Sequence, residues 1–276
     1  MIIACTHCGR TQEWRRLFQR RAASTSLDGA WICSDPCLRS AIGARMRENQ
    51  LAISAAAAPR PRLPLGLTLL QRGTISADEL QQSVSRQRAE GGAIGAHLRS
   101  VAGLKEIDIA IAVARQWSVP YLELTRPPLA PSHALLPATL LHAAGAIVAH
   151  ADPRSATIYV AFSRRIDRAL LRAIQCITGL TALPCVARES VIAAALERLP
   201  RTRVITLPEA QDPDEAAHLA ATYALEHGSN SVRLAYVHPY WWVRIRDNEL
   251  IDLLCPMSAR RDRAEPFDFR SAALAL

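Results

Sequence analysis

Residues 64–87 and 93–116 carry one pattern written twice, PLGLTLLQRGTISADELQQSVSRQ and AIGAHLRSVAGLKEIDIAIAVARQ. Each copy opens on an apolar residue and a glycine, Leu65-Gly66 and Ile94-Gly95. Each has a leucine three residues after that glycine (Leu69, Leu98) and closes on Arg86-Gln87 or Arg115-Gln116. Two copies of one unit favour side-by-side packing, because stacking neighbours buries apolar faces that a lone unit leaves open. In the first copy Leu65, Leu69 and Leu70 mark a short helix that Gly73 stops. Ser76 with Glu79 is a capping box, opening a second helix through Leu80, Val84 and Gln87. The second copy repeats the plan, with a helix from Lys105 to Gln116.

Four cysteines form another constellation ahead of the repeats. Cys5-Thr-His-Cys8-Gly is a C-x-x-C turn whose glycine frees the backbone to aim amides at sulfur. In Cys33-Ser-Asp-Pro-Cys37, Ser34 and Asp35 suit a helix cap and Pro36 suits the first turn. Two thiols at a turn and two at a helix start fit a tetrahedral zinc site with ligands Cys5, Cys8, Cys33 and Cys37. Four thiolates leave no open position for water, so this Zn2+ is expected to be structural. His7 lies inside the knuckle and reads as a bystander. Cys176, Cys185 and Cys255 sit among apolar residues and read as core thiols.

In a reducing, cytoplasmic setting the seven cysteines argue for metal or buried thiols rather than disulfides. The start, MIIACTHCGR, lacks the basic and apolar regions of a secretory signal. No apolar run reaches the roughly 18 residues a bilayer span needs, so no membrane insertion is expected. The net charge of +8 permits an anionic partner without demanding one. Trp14-Arg15-Arg16, Arg20-Arg21 and Trp241-Trp242 leave a nucleic-acid partner open. A solvated basic loop accounts for the first two as well, and a half-buried strand with a solvated arginine face is the preferred reading of the last.

Residues 51–63, LAISAAAAPRPRL, read as a semi-rigid spacer. Further on, a helix from Asp214 ends at Gly228, and strands follow at 232–236 and 242–246 with Asp247-Asn248 as the turn. Val243 and Ile245 share one strand face, Arg244 and Arg246 the other. There is no G-x-x-x-x-G-K-[ST] and no diagnostic nucleophile–base arrangement, so no enzyme is expected.

The C-x-x-C-G and later W-x-C-S-x-x-C spacing, over about residues 3–45, resembles small treble-clef zinc fingers of bacterial gyrase-inhibitor proteins. The two repeats lead into the extended exit after Trp117, then strand Thr157–Phe162, a helix after Asp167, Pro184-Cys-Val-Ala and a last helix from Glu189. That order, over about residues 62–199, resembles the N-terminal domain of type II secretion and type IV pilus assembly ATPases. Residues 214–254 resemble the linker domain preceding the motor in those ATPases, with its Asp, His and Glu positions falling on Ser231, Arg233 and Ala235.

These resemblances imply an α+β multidomain chain. A treble-clef-like zinc finger would span residues 1–48 and an Ala/Pro/Arg linker 49–63. The secretion-ATPase-like domain would span 64–200, its helical repeats (64–127) packed with a small α/β half (128–200). A remnant of the linker domain, a partial PAS-like α/β segment, would cover 201–257, ahead of a tail at 258–276.

Some members of that ATPase family bind cyclic di-GMP through the repeats. The resemblance places such a ligand on Leu65, Gly66, Leu69, Gly73, Gln87, Ile94, Gly95, Leu98 and Gln116. The family's leading arginine is Pro64 in one copy and Ala93 in the other, which removes charge-assisted contacts. Leu65, Leu69, Ile94 and Leu98 equally suit a plain helix-packing core. In the ATPases this domain docks onto the cytoplasmic part of a membrane partner. The expectation is a non-enzymatic cytosolic adaptor or regulator that docks onto a type II secretion, type IV pilus or related envelope component. A cyclic di-GMP receptor and a nucleic-acid-binding zinc-finger protein are the alternatives.

Overall fold

The computed structural model describes residues 2–13, 25–54, 62–124, 136–199, 204–247 and 249–258. Trp14-Arg15-Arg16, Arg20-Arg21, most of the tail and spacer residues 55–61 lie outside them. Strands β1 (Ile2–Ala4) and β2 (Thr11–Glu13) flank the first cysteine pair. Strands β3 (Thr25–Leu27) and β4 (Ala30–Ile32) form a hairpin over Asp28-Gly29. Both turn residues take positive φ, 51° and 84°, as the favoured two-residue hairpin turn requires. Helix α1 (Asp35–Ser54) follows, so residues 51–54 of the expected spacer are helical.

The repeats form α2 (Leu65–Gln71), α3 (Ala77–Glu90), α4 (Ile94–Ala102) and α5 (Glu106–Trp117). Their shared core is Leu69, Ile75, Leu98 and Ala112. Local chemistry starts the longer helices. Glu79 accepts from the Ser76 backbone N–H at 2.7 Å, and Ser76 Oγ accepts from the Glu79 N–H at 3.2 Å. At the equivalent place Asp108 Oδ2 accepts from the Lys105 N–H at 2.9 Å.

Helix α6 (Ala138–Ala144) leads to strands β5 (Ala146–Asp152) and β6 (Thr157–Phe162). Helix α7 (Arg168–Thr178) carries the chain over to β7 (Thr181–Val186), and α8 (Glu189–Leu196) closes this half. The small sheet has the order β5-β6-β7, antiparallel then parallel. Asp167 caps α7 by accepting from the Ala169 and Leu170 N–H groups at 2.8 and 3.0 Å.

After β8 (Val204–Thr206) comes α9 (Pro213–Glu226), then the meander β9 (Ser231–Val237), β10 (Tyr240–Arg246) and β11 (Leu250–Pro256). These strands do not form a sheet of their own. β3 runs parallel to β9, with Ser26 opposite Ser231 and Leu27 opposite Val232. The resulting six-stranded sheet has the order β4-β3-β9-β10-β11-β8. The cysteine segment and the carboxy-terminal segment, read from the sequence as separate units, thus share a sheet.

They also share a core. Trp241, Val243 and Ile245 point to one face of the sheet, where they meet Ile42 and Met46 of α1 and the alanines of α9. Ala216, Ala217, Ala220, Ala221 and Ala224 make that α9 face small and fully apolar. Trp242 and Leu254 point to the other face and join Leu170, Ile174 and Ile177 of α7. The mixed α+β fold is therefore layered, with the six-stranded sheet between α1 and α9 on one side and α7 on the other.

Two readings of this sheet need correction. Trp241 and Trp242 are 1% and 0% exposed, so they cannot form an aromatic platform for nucleic acid. Arg244 is not solvated. It is buried, and its Nε and Nη2 donate to Asp252 Oδ1 and Oδ2 at 2.7 and 2.8 Å. Trp242 Nε1 also donates to Asp252 Oδ1 at 2.7 Å, so one carboxylate serves three N–H donors from two side chains across the β10–β11 pair. A charge is affordable here because its partner sits directly opposite.

Candidate metal centre and repeat cleft

The amino-terminal turn is built by main-chain bonds. Cys5 N–H donates to Arg10 O at 2.8 Å and Gly9 N–H donates to Cys5 O at 2.9 Å. Gly9 has a φ of +74°, which a side chain would strain. The hairpin β3–β4 delivers Cys33 and the first turn of α1 delivers Cys37. The four Sγ atoms all lie within 4.8 Å of one another, with Cys8–Cys33 at 3.5 Å and Cys33–Cys37 at 3.6 Å. A Zn–S bond of about 2.3 Å gives a tetrahedron whose edges are about 3.8 Å, so the spacing suits a four-coordinate metal ion. His7 is exposed and stands outside the group.

The thiols are not electrically alike. Burial pushes the Cys5 thiol up, but backbone N–H groups of Cys8, Cys33 and His7 outweigh it and bring the group down to about 6. At Cys33, burial and the neighbouring Cys8 thiol push it up to about 12. A cation in the middle supplies what lets all four ionise together. These four cysteines can hold a metal ion.

The second repeat, Leu65 of the first and the α/β half line a cleft of about 300 Å³. Leu65, Ile94, Gly95 and Gln116 of the sequence-expected ligand set line it, with Arg99 and Arg164 also on its wall. Arg164 pairs with Glu189. Glu106, another lining residue, accepts from the Ser190 N–H at 2.6 Å and its hydroxyl at 2.7 Å. Burial raises the Glu106 carboxyl, but the Ser190 hydroxyl and N–H, with Arg99 and Arg188 nearby, hold it below the usual range. This contact ties α5 to the start of α8.

The other expected ligand residues serve packing. Leu69 and Leu98 are 2% and 0% exposed. A Cβ on Gly66 would fall 2.4 Å from Leu80 Cδ1, and one on Gly95 would fall 3.2 Å from Ile109 Cγ2. Leu80 and Ile109 are themselves equivalent positions of the two repeats. The Leu-Gly motif thus brings each short helix against the long helix of its own repeat. Gly73 takes φ +66° at the end of α2. Gln87 Nε2 donates to Gly92 O at 3.0 Å, bracing the start of the second repeat. Arg62 stacks 3.8 Å over the Trp117 ring, two residues ahead of the position where the family carries its arginine.

Sequence reasoning missed three features. The Asp28-Gly29 hairpin carries a local signal that was there to be read. β11 hides behind Asp252 in an apolar run. Cys185 and Cys255 are buried as expected, but Cys176 is exposed, because it lies on the outer face of α7.

Fold and site together define a class: an α+β chain with a two-repeat helical domain and a four-cysteine centre, and no described helix is long and apolar enough to cross a membrane. No family model matches the chain. Over 135 residues, 49% of its length, it is 31% identical to the type IV pilus assembly ATPase PilB of Thermus thermophilus. The chain covers 15% of that protein. Among solved structures, that of MshE with cdg is 25% identical at a TM-score of 0.43, over 50% of this chain and all (100%) of that one. The N-terminal domain of XpsE is 21% identical at a TM-score of 0.36, over 49% and 92%. About half of this chain is therefore similar to part of a type IV pilus assembly ATPase.

Proposed function

We propose that the chain is a non-enzymatic cytoplasmic adaptor that docks onto a component of a type II secretion, type IV pilus or related envelope system. The observation that carries this reading is the 31% identity to a pilus assembly ATPase over 49% of the chain. Cys5, Cys8, Cys33 and Cys37 hold one structural Zn2+, and its role is internal: it fastens the hairpin that extends the main sheet. The zinc segment is not a free nucleic-acid finger in this reading, since its helix α1 is packed on α9. Affinity capture with the tagged full chain from a cell that makes such systems tests the adaptor role. Recovery of a secretion or pilus component is expected, and capture that repeatedly returns none overturns the reading.

A second reading has one observation behind it. The 300 Å³ cleft gathers Leu65, Ile94, Gly95 and Gln116 with two arginines, Arg99 and Arg164, on its wall. Arg99 offers a cyclic dinucleotide the charge that Pro64 and Ala93 lack, while Arg164 is engaged by Glu189. Calorimetric titration with cyclic di-GMP tests it. Heat that disappears in Arg99→Ala supports it, and no heat with no thermal shift removes it.

A further inference from the structure

Among the described residues the sheet edge beside β9 is only half covered. Asp28 N–H donates to Val232 O at 2.8 Å, and Leu234 N–H donates to Asp28 Oδ1 at 3.3 Å. There the β3–β4 hairpin turns back. By strand alternation, Tyr236 is the next residue to present its N–H and C=O outward. Beyond Leu234 the track that β3 would have occupied is a groove of about 240 Å³. Its floor is Leu234, Ala235 and Tyr236, and His238 stands at its end.

Helices flank this edge on both faces. α7 contributes Ala169, Arg172, Ala173 and Cys176, one helical stripe, and α1 contributes Arg45 and Asn49. The two alanines leave room beside the strand. A stripe of seven helical steps is about 10 Å long, which matches three or four extended residues. Among the described residues no carboxylate lines the groove, whereas Arg45, Arg172 and His238 do. Arg45 is already engaged by Asp28 at 3.1 Å and Glu48 at 3.5 Å, so among the described residues Arg172 is the main positive charge the wall offers.

We propose that this groove receives a short, acidic, extended segment of a partner protein as an added strand beside β9. Main-chain bonds to the open edge supply affinity, and Arg172 with His238 selects acidic side chains. The partner's being a protein rests on the docking role above; the groove and its charge do not.

The test uses the full, metal-loaded chain and a capped six-residue peptide alternating valine and glutamate. Amide shifts at Tyr236 and Val237 are expected on titration, weakening with salt. Arg172→Glu, at an exposed position, is expected to weaken binding at least tenfold, and Arg172→Gln by less. Cys176→Trp, which fills the same wall, is a second block. The peptide N-methylated at alternate residues is expected not to bind. The proposal is overturned by no shifts at millimolar peptide, by unchanged binding to Arg172→Glu, or by equal binding of a valine–lysine peptide. Inorganic phosphate that reproduces the shifts and displaces the peptide also overturns it, in favour of a small-anion site. Capture of a secretion component by Arg172→Glu as efficient as by wild type refutes the groove and leaves the docking role standing.

Discussion

Gln116 Nε2 donates to the Leu63 carbonyl at 2.6 Å. Its counterpart Gln87 donates to the Gly92 carbonyl at 3.0 Å. Leu63 and Gly92 each lie two residues ahead of an apolar–glycine pair, at Leu65 and Ile94. The last residue of each repeat therefore braces the first helix of the other, and the two units close on each other. Gln116→Leu is expected to cost about 1 kcal/mol, the net worth of one such hydrogen bond. Hydrogen exchange should rise in α2 ahead of α3. Equal protection in the variant would show that Gln116 does not hold the pair together.

Gly66 is a packing residue at a close approach. Gly66→Ala is expected to destabilise by about 1–3 kcal/mol, because its Cβ would fall 2.4 Å from Leu80 Cδ1. Gly95→Ala, at 3.2 Å from Ile109, is expected to cost less. Adding Leu80→Ala to Gly66→Ala should show favourable coupling in a double-mutant cycle by urea unfolding. Additive effects would refute the contact.

Arg244 and Asp252 are both buried, at 7% and 4% exposure. Breaking the pair with Asp252→Asn or Arg244→Met is expected to cost about 3–5 kcal/mol, since the abandoned charge stays in the core. Replacing both with apolar residues should recover a large part of that. Thermal melts of the three variants decide it, and single variants as stable as wild type would disprove the account.

Metal removal should be felt far from the cysteines in sequence. One zinc per chain is expected by elemental analysis, and chelation should lower the Tm. Because β3 pairs with β9, exchange at Val232 and Leu234 should accelerate as the hairpin loosens. A chelated protein with unchanged exchange in β9 would show that the metal segment and the sheet are uncoupled.

The Glu106 carboxyl is held below its ordinary range in the folded chain. Its stabilising contribution is thus complete above the unfolded value of about 4.3 and is lost as pH falls through the lower folded value. Glu106→Gln should flatten that part of the stability–pH profile and leave the profile above pH 6 parallel to wild type. Chemical denaturation from pH 6 downward reads it out, and superimposable acid limbs would exclude Glu106.

The repeats were legible because their signals are local. Helix period, the Ser76–Glu79 box and Gly73 act within a few residues of themselves, and so does the pairing of Cys5 with Cys8 and of Cys33 with Cys37. Arg244 was misread because an arginine on a strand is solvated unless a carboxylate faces it. Asp252 faces it only once β10 and β11 are in register. Cys176 was misread for a similar reason, since an amphipathic helix buries one side and the sequence leaves open where the packing ends.

The amino-acid sequence by itself determined the repeat pair and the grouping of the four thiols, which rest on short-range periodicity and spacing, while the mixed α+β class came with the family resemblance. Only the tertiary structure decided that β3 would lie beside β9. Ser26 and Ser231 meet although they are far apart in the chain, and strand pairing depends on which edges are left open once the helices have packed. That one choice turns the cysteine segment from a separate finger into part of the main sheet. Among the described residues it also leaves the rest of the β9 edge uncovered between two helices.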